Sequence, residues 1–162
     1  MRAVNMMNDG QIEQFLTFEL AGESYGVEIL KVQEIRGWEP VREIPNTPEY
    51  IKGALNLRGA IVPIVDLRDR FGMKKTEYSA VTVVVVLCIK GSQGDNVMGI
   101  VADAVSDVLD INPAEIKESP KLGSKIDTRY MRGMYVGNKQ MVMLLDVDKL
   151  LDSEEFEGIS NL

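Results

Sequence analysis

The sequence predicts an all-β protein made of two copies of a small five-stranded barrel. Three observations carry that reading: apolar runs of strand length recur along the chain, helix signals are brief, and one segment returns at a constant spacing. The strand-length runs are Phe15 to Leu20, Ile61 to Val65, Val81 to Ile89, Val97 to Val101 and Met141 to Leu145. Thr47 before Pro48 reads as an N-cap followed by a first helical position. Asn112, Pro113 and Glu115 repeat that pattern with a capping-box carboxylate. Asp66 and Asp146 each follow an apolar strand and are placed to cap a short turn. Only the stretch from Val147 to about Phe156, with Leu150 and Leu151 opposite acids, predicts several helical turns.

The repeat sets Tyr50-Ile51-Lys52-Gly53 against Tyr130-Met131-Arg132-Gly133 and Ile61-Val62-Pro63-Ile64-Val65-Asp66 against Met141-Val142-Met143-Leu144-Leu145-Asp146, a constant offset of 80 residues. Upstream, Gly26-Val27-Glu28-Ile29 with Val32, Glu34 and Ile35 aligns with Gly99-Ile100-Val101-Ala102 with Val105, Asp107 and Val108, offset by 73. Two copies of a strand, turn, strand, hairpin and strand unit imply a duplicated module, and closing each sheet removes its exposed edges. The identities are few, and the pattern alone also fits one larger β-sandwich.

With 162 residues and 45% hydrophobic content, the chain can bury a real core without disulfides or metal. Its start has no long apolar stretch, and the run Val81 to Ile89 is too short to span a bilayer, so a cytoplasmic protein is expected. The single cysteine, Cys88, lies inside that run and reads as a core thiol. A formal charge of −7 repels nucleic acid and acidic membrane surfaces and leaves proteins as the expected partners.

The chain has no histidine, which removes the commonest general base and metal ligand. Gly91-Ser92-Gln93-Gly94 and Gly123-Ser124-Lys125 lack the ending of a phosphate cradle and read as loops, and Gly137-Asn138-Lys139 reads as a hairpin turn. The carboxylate pairs Asp66 with Asp69 and Asp103 with Asp107 suit capping and solvated surface better than acid-base work. Ser24, Ser79, Ser106 and Ser119 have no supporting motif, and the dispersed methionines suit core filling. No base, nucleophile and anion-hole set is assembled, so no enzyme, cofactor or metal is expected.

The repeats differ where binding is plausible. The first hairpin turn carries Asn56-Leu57-Arg58-Gly59, whereas Arg58 aligns with Asn138. An arginine fork on a tight turn suits a partner carboxylate; a solvated turn charge is the plain alternative. Ile29, Val32 and Ile35 are spaced to form one apolar stripe on a short helical turn beside Glu34. With Ala102, Val105, Asp107 and Val108 opposite, two such stripes would line an inter-barrel groove able to accept a partner helix; a packed core face is the alternative.

The run from Ile29 to Gly37, then Ile44 to Pro48, Ile51-Lys52-Gly53, Asn56-Leu57-Arg58-Gly59, Ile61 to Arg68, Gly99-Ile100-Val101 and Val105 to Leu109 resembles the CheW family of chemotaxis coupling proteins. The resemblance implies a flexible N-terminus over residues 1–13 and one domain over 14–162. That domain would hold two tandem, intertwined SH3-like barrels, with repeats at about 25–72 and 98–152 and strands exchanged between them. It implies a non-catalytic adaptor joining the cytoplasmic tips of chemoreceptors to the regulatory domain of the histidine kinase CheA, at receptor arrays beneath the inner membrane. The same domain occurs within that kinase; a chain running from Met1 to just beyond a C-terminal helix is expected to be free-standing. By motif match the resemblance assigns Leu16, Ile29, Val32, Glu34, Ile35 and Val105 to receptor binding, and Gly53, Arg58 and Val108 to the coupling interface. The stretch from Lys90 to Asn96 is longer than the family pattern and is expected to be a surface insertion.

Overall fold

The structure is a computed structural model that describes residues 11–74, 77–91, 94–119, 126–137 and 140–151. Ten strands form two sheets: β1 (Glu13–Leu20), β2 (Glu23–Glu28), β3 (Val32–Gly37), β4 (Ile51–Leu57), β5 (Ala60–Val65), β6 (Val83–Gly91), β7 (Gly94–Ala102), β8 (Ala104–Ile111), β9 (Met131–Val136) and β10 (Met141–Leu145). Short helices α1 (Leu67–Arg70) and α2 (Val147–Leu151) follow β5 and β10. The first barrel has strand order β3-β6-β7-β5-β4 and the second β8-β1-β2-β10-β9.

The repeat is therefore five strands long, β1 to β5 and β6 to β10, and each barrel takes three strands from one repeat and two from the other. The pairings β5 with β7 and β10 with β2 are parallel and join strands of different repeats. The two SH3-like barrels are intertwined, as the family resemblance implies. Each repeat begins one strand earlier than its identities suggest, because β1 and β6 share a role but little sequence.

Strand periodicity explains why the apolar runs are so continuous. On β6, Val84 and Val86 enter a cluster with Leu55, Leu57, Val62, Ile64 and Val101, all from the first barrel. The intervening Val85, Leu87 and Ile89 enter a larger cluster with Leu16, Phe18, Leu20, Tyr25, Val27 and Met143 from the second barrel. On β10, Val142 and Leu144 join Phe15 and Ile111 in a third cluster. Successive side chains point to opposite faces, so a strand buried on both must be apolar throughout. One core between sheets would make a sandwich; a separate core inside each sheet as well makes two barrels.

Several expectations are corrected. The Thr47-Pro48 signal starts no helix: the Thr47 hydroxyl donates to the Ile44 carbonyl at 2.9 Å, and Ile51 N–H closes a single turn on the Pro48 carbonyl before β4 begins. The equivalent place in the second repeat does hold a 3-10 turn, Thr128–Tyr130, capped by Asp127. The strand expected from Val81 begins at Val83, and Val81 is exposed. Gly91 and Gly94 are paired ends of β6 and β7, so the stretch from Lys90 to Asn96 extends a hairpin. Cys88 is half-buried. The 3-10 turn Pro113–Glu115 has its capping box on Asn112, and Asp66 caps α1. The N-terminus to residue 10, Gly123-Ser124-Lys125, Asn138-Lys139 and the part of the expected C-terminal helix after Leu151 lie outside the described residues.

The barrels are locked by a buried charge cluster. Arg68 and Asp66 have fully buried side chains. The guanidinium donates twice to Asp66, at 2.9 Å through Nε and 2.8 Å through Nη2, and a third time to Asp103 through Nη1. Tyr78 donates its hydroxyl to Asp66 at 3.0 Å, and its ring lies against Trp38, centroids 4.1 Å apart. Asp103 stands between β7 of the first barrel and β8 of the second, and its Oδ2 accepts the Ala21 N–H at 2.8 Å. Burial alone would raise the Asp66 carboxyl, but the hydrogen bonds and charge of Arg68, with the Tyr78 hydroxyl, hold it below the ordinary carboxylate range.

A depressed native carboxyl contributes stability that is present above its unfolded value, about 3.9, and is lost as pH falls through the native value. Asp66→Asn is expected to cost about 3–5 kcal/mol at neutral pH, because it breaks a buried pair, and to flatten the fall in stability below about pH 4. Urea unfolding from pH 7 to pH 3 measures both effects.

Candidate functional site

Most of the expected site lies on strands at the margins of the two sheets, β3, β4 and β8, while Leu16 lies on the interior strand β1. On β3, Val32, Glu34 and Arg36 are half-buried while Gln33 and Ile35 are exposed. The stripe expected for Ile29, Val32 and Ile35 is not helical: the 3-10 turn covers only Ile29–Lys31, and a register shift after Val32 lets Val32 and Ile35 pair with Leu87 and Val85, so the two share one face of an extended strand. The turn ends because the chain must pass from β2 of one barrel to β3 of the other within three residues.

Ile29, Val32 and Val105 pack half-buried against the central core, and Leu16 belongs to that core at 3% exposure. Leu16 lies opposite Val108 in the β1 and β8 register, and Val108 is exposed. Ile35 and Val108 occupy equivalent places in the two repeats and have nearly equal exposure, 44% and 43%. Leu16 can shape this surface from beneath but offers a partner little area; Ile35 and Val108 offer the most.

Arg58 sits in the β4–β5 hairpin with φ +52 and Gly59 with φ +91, the two positive angles of a type I′ turn. That turn holds the guanidinium out, and its Nη2 meets Glu34 Oε1 at 2.8 Å. Two residues that the sequence assigns to separate patches are thus one ion pair. β3 and β4 are the outermost strands in the sheet order, so this contact also shows the sheet curling until its margins meet. Arg36 extends the charges, 3.5 Å from Glu34 and 3.7 Å from Glu39.

Gly53 stands apart from these residues. It is buried with φ +146, and a Cβ there would overlap the carbonyl of Arg42, which pairs with Ala54 across the barrel end. Gly133 repeats the arrangement with φ +154 against the carbonyl of Lys117. The glycine matched in sequence is a backbone requirement.

The carboxylate pairs are not brought together. Asp66 caps α1 and holds Arg68, Asp69 pairs with Lys52, Asp103 bridges the barrels, and Asp107 accepts its neighbour's N–H at 2.8 Å. Sequence reasoning missed Arg68, a cation next to an apolar run and two residues from Asp66, and missed the ties of Arg132 to Glu13 and Glu28 and of Lys31 to Asp148. Among the described residues no group of His, Cys, Asp and Glu is placed to hold a metal ion, and no helix is long and apolar enough to cross a membrane.

Two barrels sharing one core, with exposed apolar strand positions beside an ion pair, describe a protein-binding scaffold. Comparison with known proteins gives the family. The CheW-like domain model matches residues 14–155. A chemotaxis protein CheW from Klebsiella aerogenes is 45% identical over 150 residues, 93% of this chain and 88% of that protein. A probable chemotaxis protein CheW from Rhizobium etli is 35% identical over 156 residues, 96% of this chain and 97% of that one. The crystal structure of the scaffolding protein TtCheW from Thermoanaerobacter tengcongensis superposes with TM-score 0.78 at 30% identity, covering 90% of this chain and 91% of that one. The chain belongs to the CheW-like domain family and has the role of a non-catalytic chemotaxis coupling adaptor.

Gly53→Ala is expected to lower stability by about 2–3 kcal/mol, through the left-handed backbone and the overlap with Arg42. The shift in urea midpoint at constant slope measures it.

Proposed function

We propose that this adaptor joins the cytoplasmic tips of transmembrane chemoreceptors to the regulatory domain of the histidine kinase CheA, in arrays beneath the inner membrane. The observation that carries the reading is the pair of repeat-equivalent apolar residues, Ile35 and Val108, exposed at the margins of the two sheets and flanked on β3 by the Glu34–Arg58 ion pair. A receptor helix brings an apolar stripe to Ile29, Val32, Ile35 and Val105 over the core residue Leu16, with Glu34 setting the polar margin. Arg58, Gly53 and Val108 mark the coupling interface, Gly53 by fixing the backbone near the start of β4.

Signalling through such a scaffold requires that it bind the two receptor states with different affinity and favour one kinase geometry. The charge of −7 disfavours nucleic acid and acidic lipid as partners.

Arg58→Asn is the cleanest test of the ion pair, because asparagine tolerates the left-handed turn while removing the fork. Its stability is expected to stay within about 1 kcal/mol of wild type, with receptor control of the kinase reduced; unchanged control would refute the role. Ile35→Asp is expected to weaken receptor-tip binding by about tenfold or more, since a charge replaces apolar area at the contact. Calorimetric titration against a receptor-tip fragment and against the kinase regulatory domain reads both variants, and absence of wild-type binding to either partner would overturn the reading.

A further inference from the structure

Each passage of the chain between the barrels is fastened by an ion pair from the second residue of a repeat-equivalent helix, with the charges exchanged; the crossover partners Lys31 and Asp103 stand 72 residues apart, one short of the 73-residue offset of these strands. At the β7–β8 crossover, Arg68, the second residue of α1, holds Asp103, whose other oxygen accepts the Ala21 N–H just beyond β1 at 2.8 Å. At the β2–β3 crossover, Asp148, the second residue of α2, holds Lys31 at 2.6 Å, and its other oxygen accepts the Lys90 N–H near the end of β6 at 2.8 Å. Arg68 and Asp148 stand 80 residues apart, the spacing of the repeat. The helix supplies the cation at one crossover and the anion at the other, while in both the carboxylate also takes the N–H at the end of the repeat's first strand.

The two clasps differ in burial. Arg68 is fully buried and Asp66 and Tyr78 back it. Lys31 and Asp148 keep 18% and 31% of their side-chain exposure and border a cavity of about 360 Å³ with Glu28, Lys90, Arg132 and Asp146. Lys31 also lies in the segment between Ile29 and Val32, so this clasp fixes the turn from which the receptor-facing residues project.

We propose that Lys31 and Asp148 are positioning residues: their ion pair holds the Ile29–Lys31 turn and the start of β3 against α2, so that Ile29, Val32 and Glu34 meet a receptor helix in a single arrangement. The role in coupling rests on the receptor reading above; the clasp itself does not. The opposite polarity at the other crossover motivates a charge-exchanged variant as the test of the pairing.

The test uses the full-length protein as wild type, Lys31→Ala, Asp148→Asn and the charge-exchanged Lys31→Asp/Asp148→Lys. Backbone amide exchange is read at Val32, whose N–H bonds the Ile29 carbonyl, and at Lys90. In either single variant both amides are expected to exchange about fivefold faster, and the affinity for a receptor-tip fragment to fall by a similar factor, with kinase-domain affinity unchanged. The charge-exchanged protein is expected to recover both, the aspartate introduced at position 31 taking the Lys90 N–H as Asp103 takes that of Ala21. Single variants that match wild type, or an exchanged pair no better than they are, overturn the proposal. A wild type that binds no receptor fragment removes the receptor reading and the positioning role together, while amide exchange still reports separately whether the clasp exists.

Discussion

The guanidinium of Arg68, stripped of water and bound by two carboxylates, fixes how the two barrels sit against each other. Asp66 belongs to the end of β5 and Asp103 to the crossover between barrels, so one planar fork sets the distance and angle between elements of different sheets. Burying these charges carries a desolvation cost that their attraction roughly offsets, and well-packed apolar residues in their place would stabilise as much or more. What the cluster adds is direction: apolar contacts allow a range of sliding positions, whereas a bidentate pair has one geometry. Tyr78 and Trp38 extend that constraint to the end of β3, and Ala21 extends it to the β1–β2 turn.

Strand exchange decides which strands are covered on both faces and which remain displayed. Because β1 and β2 complete the barrel of the second repeat while β6 and β7 complete that of the first, neither repeat can close a barrel alone. The central core, fed by alternate residues of β1, β2, β6, β7 and β10, is common to both. Strands buried on both faces have nothing to show a partner. Display falls to β3 and β8, the outermost strands that carry Ile35 and Val108, and to the hairpin that brings Arg58 against Glu34. The side chains displayed there stand beside residues that reach the shared core: Val108 lies opposite Leu16, and Ile35 opposite Val85.

Much of this was legible in the chain and some was not, for identifiable reasons. The 80-residue offset located equivalent strands, and the turn glycine after Arg58 located the displayed arginine, because both depend on local backbone chemistry. The stripe of Ile29, Val32 and Ile35 does not form on a helical turn, because the crossover between sheets forces extended backbone from Val32 onward and a register shift in β3, which no local pattern marks, keeps Val32 and Ile35 on one face. The Thr47-Pro48 signal failed because capping residues also serve turns, and the Thr47 hydroxyl donates locally instead of accepting. The ion pairs of Arg68 with Asp103 and Lys31 with Asp148 span 35 and 117 residues, and no local pattern marks partners so far apart.

The sequence by itself determined what local rules govern: an all-β chain, its duplication, its capped turns, the absence of histidine and the motifs that mark the family. Tertiary structure alone decided which repeat completes which barrel, that Leu16 and Gly53 lie inside while Ile35 and Val108 lie outside, and that Glu34 meets Arg58. The physical reason is that strand periodicity specifies two faces but not what covers each one. That assignment follows only when distant strands pair, and here the buried Arg68 cluster ties the end of β5 to the crossover between the paired sheets.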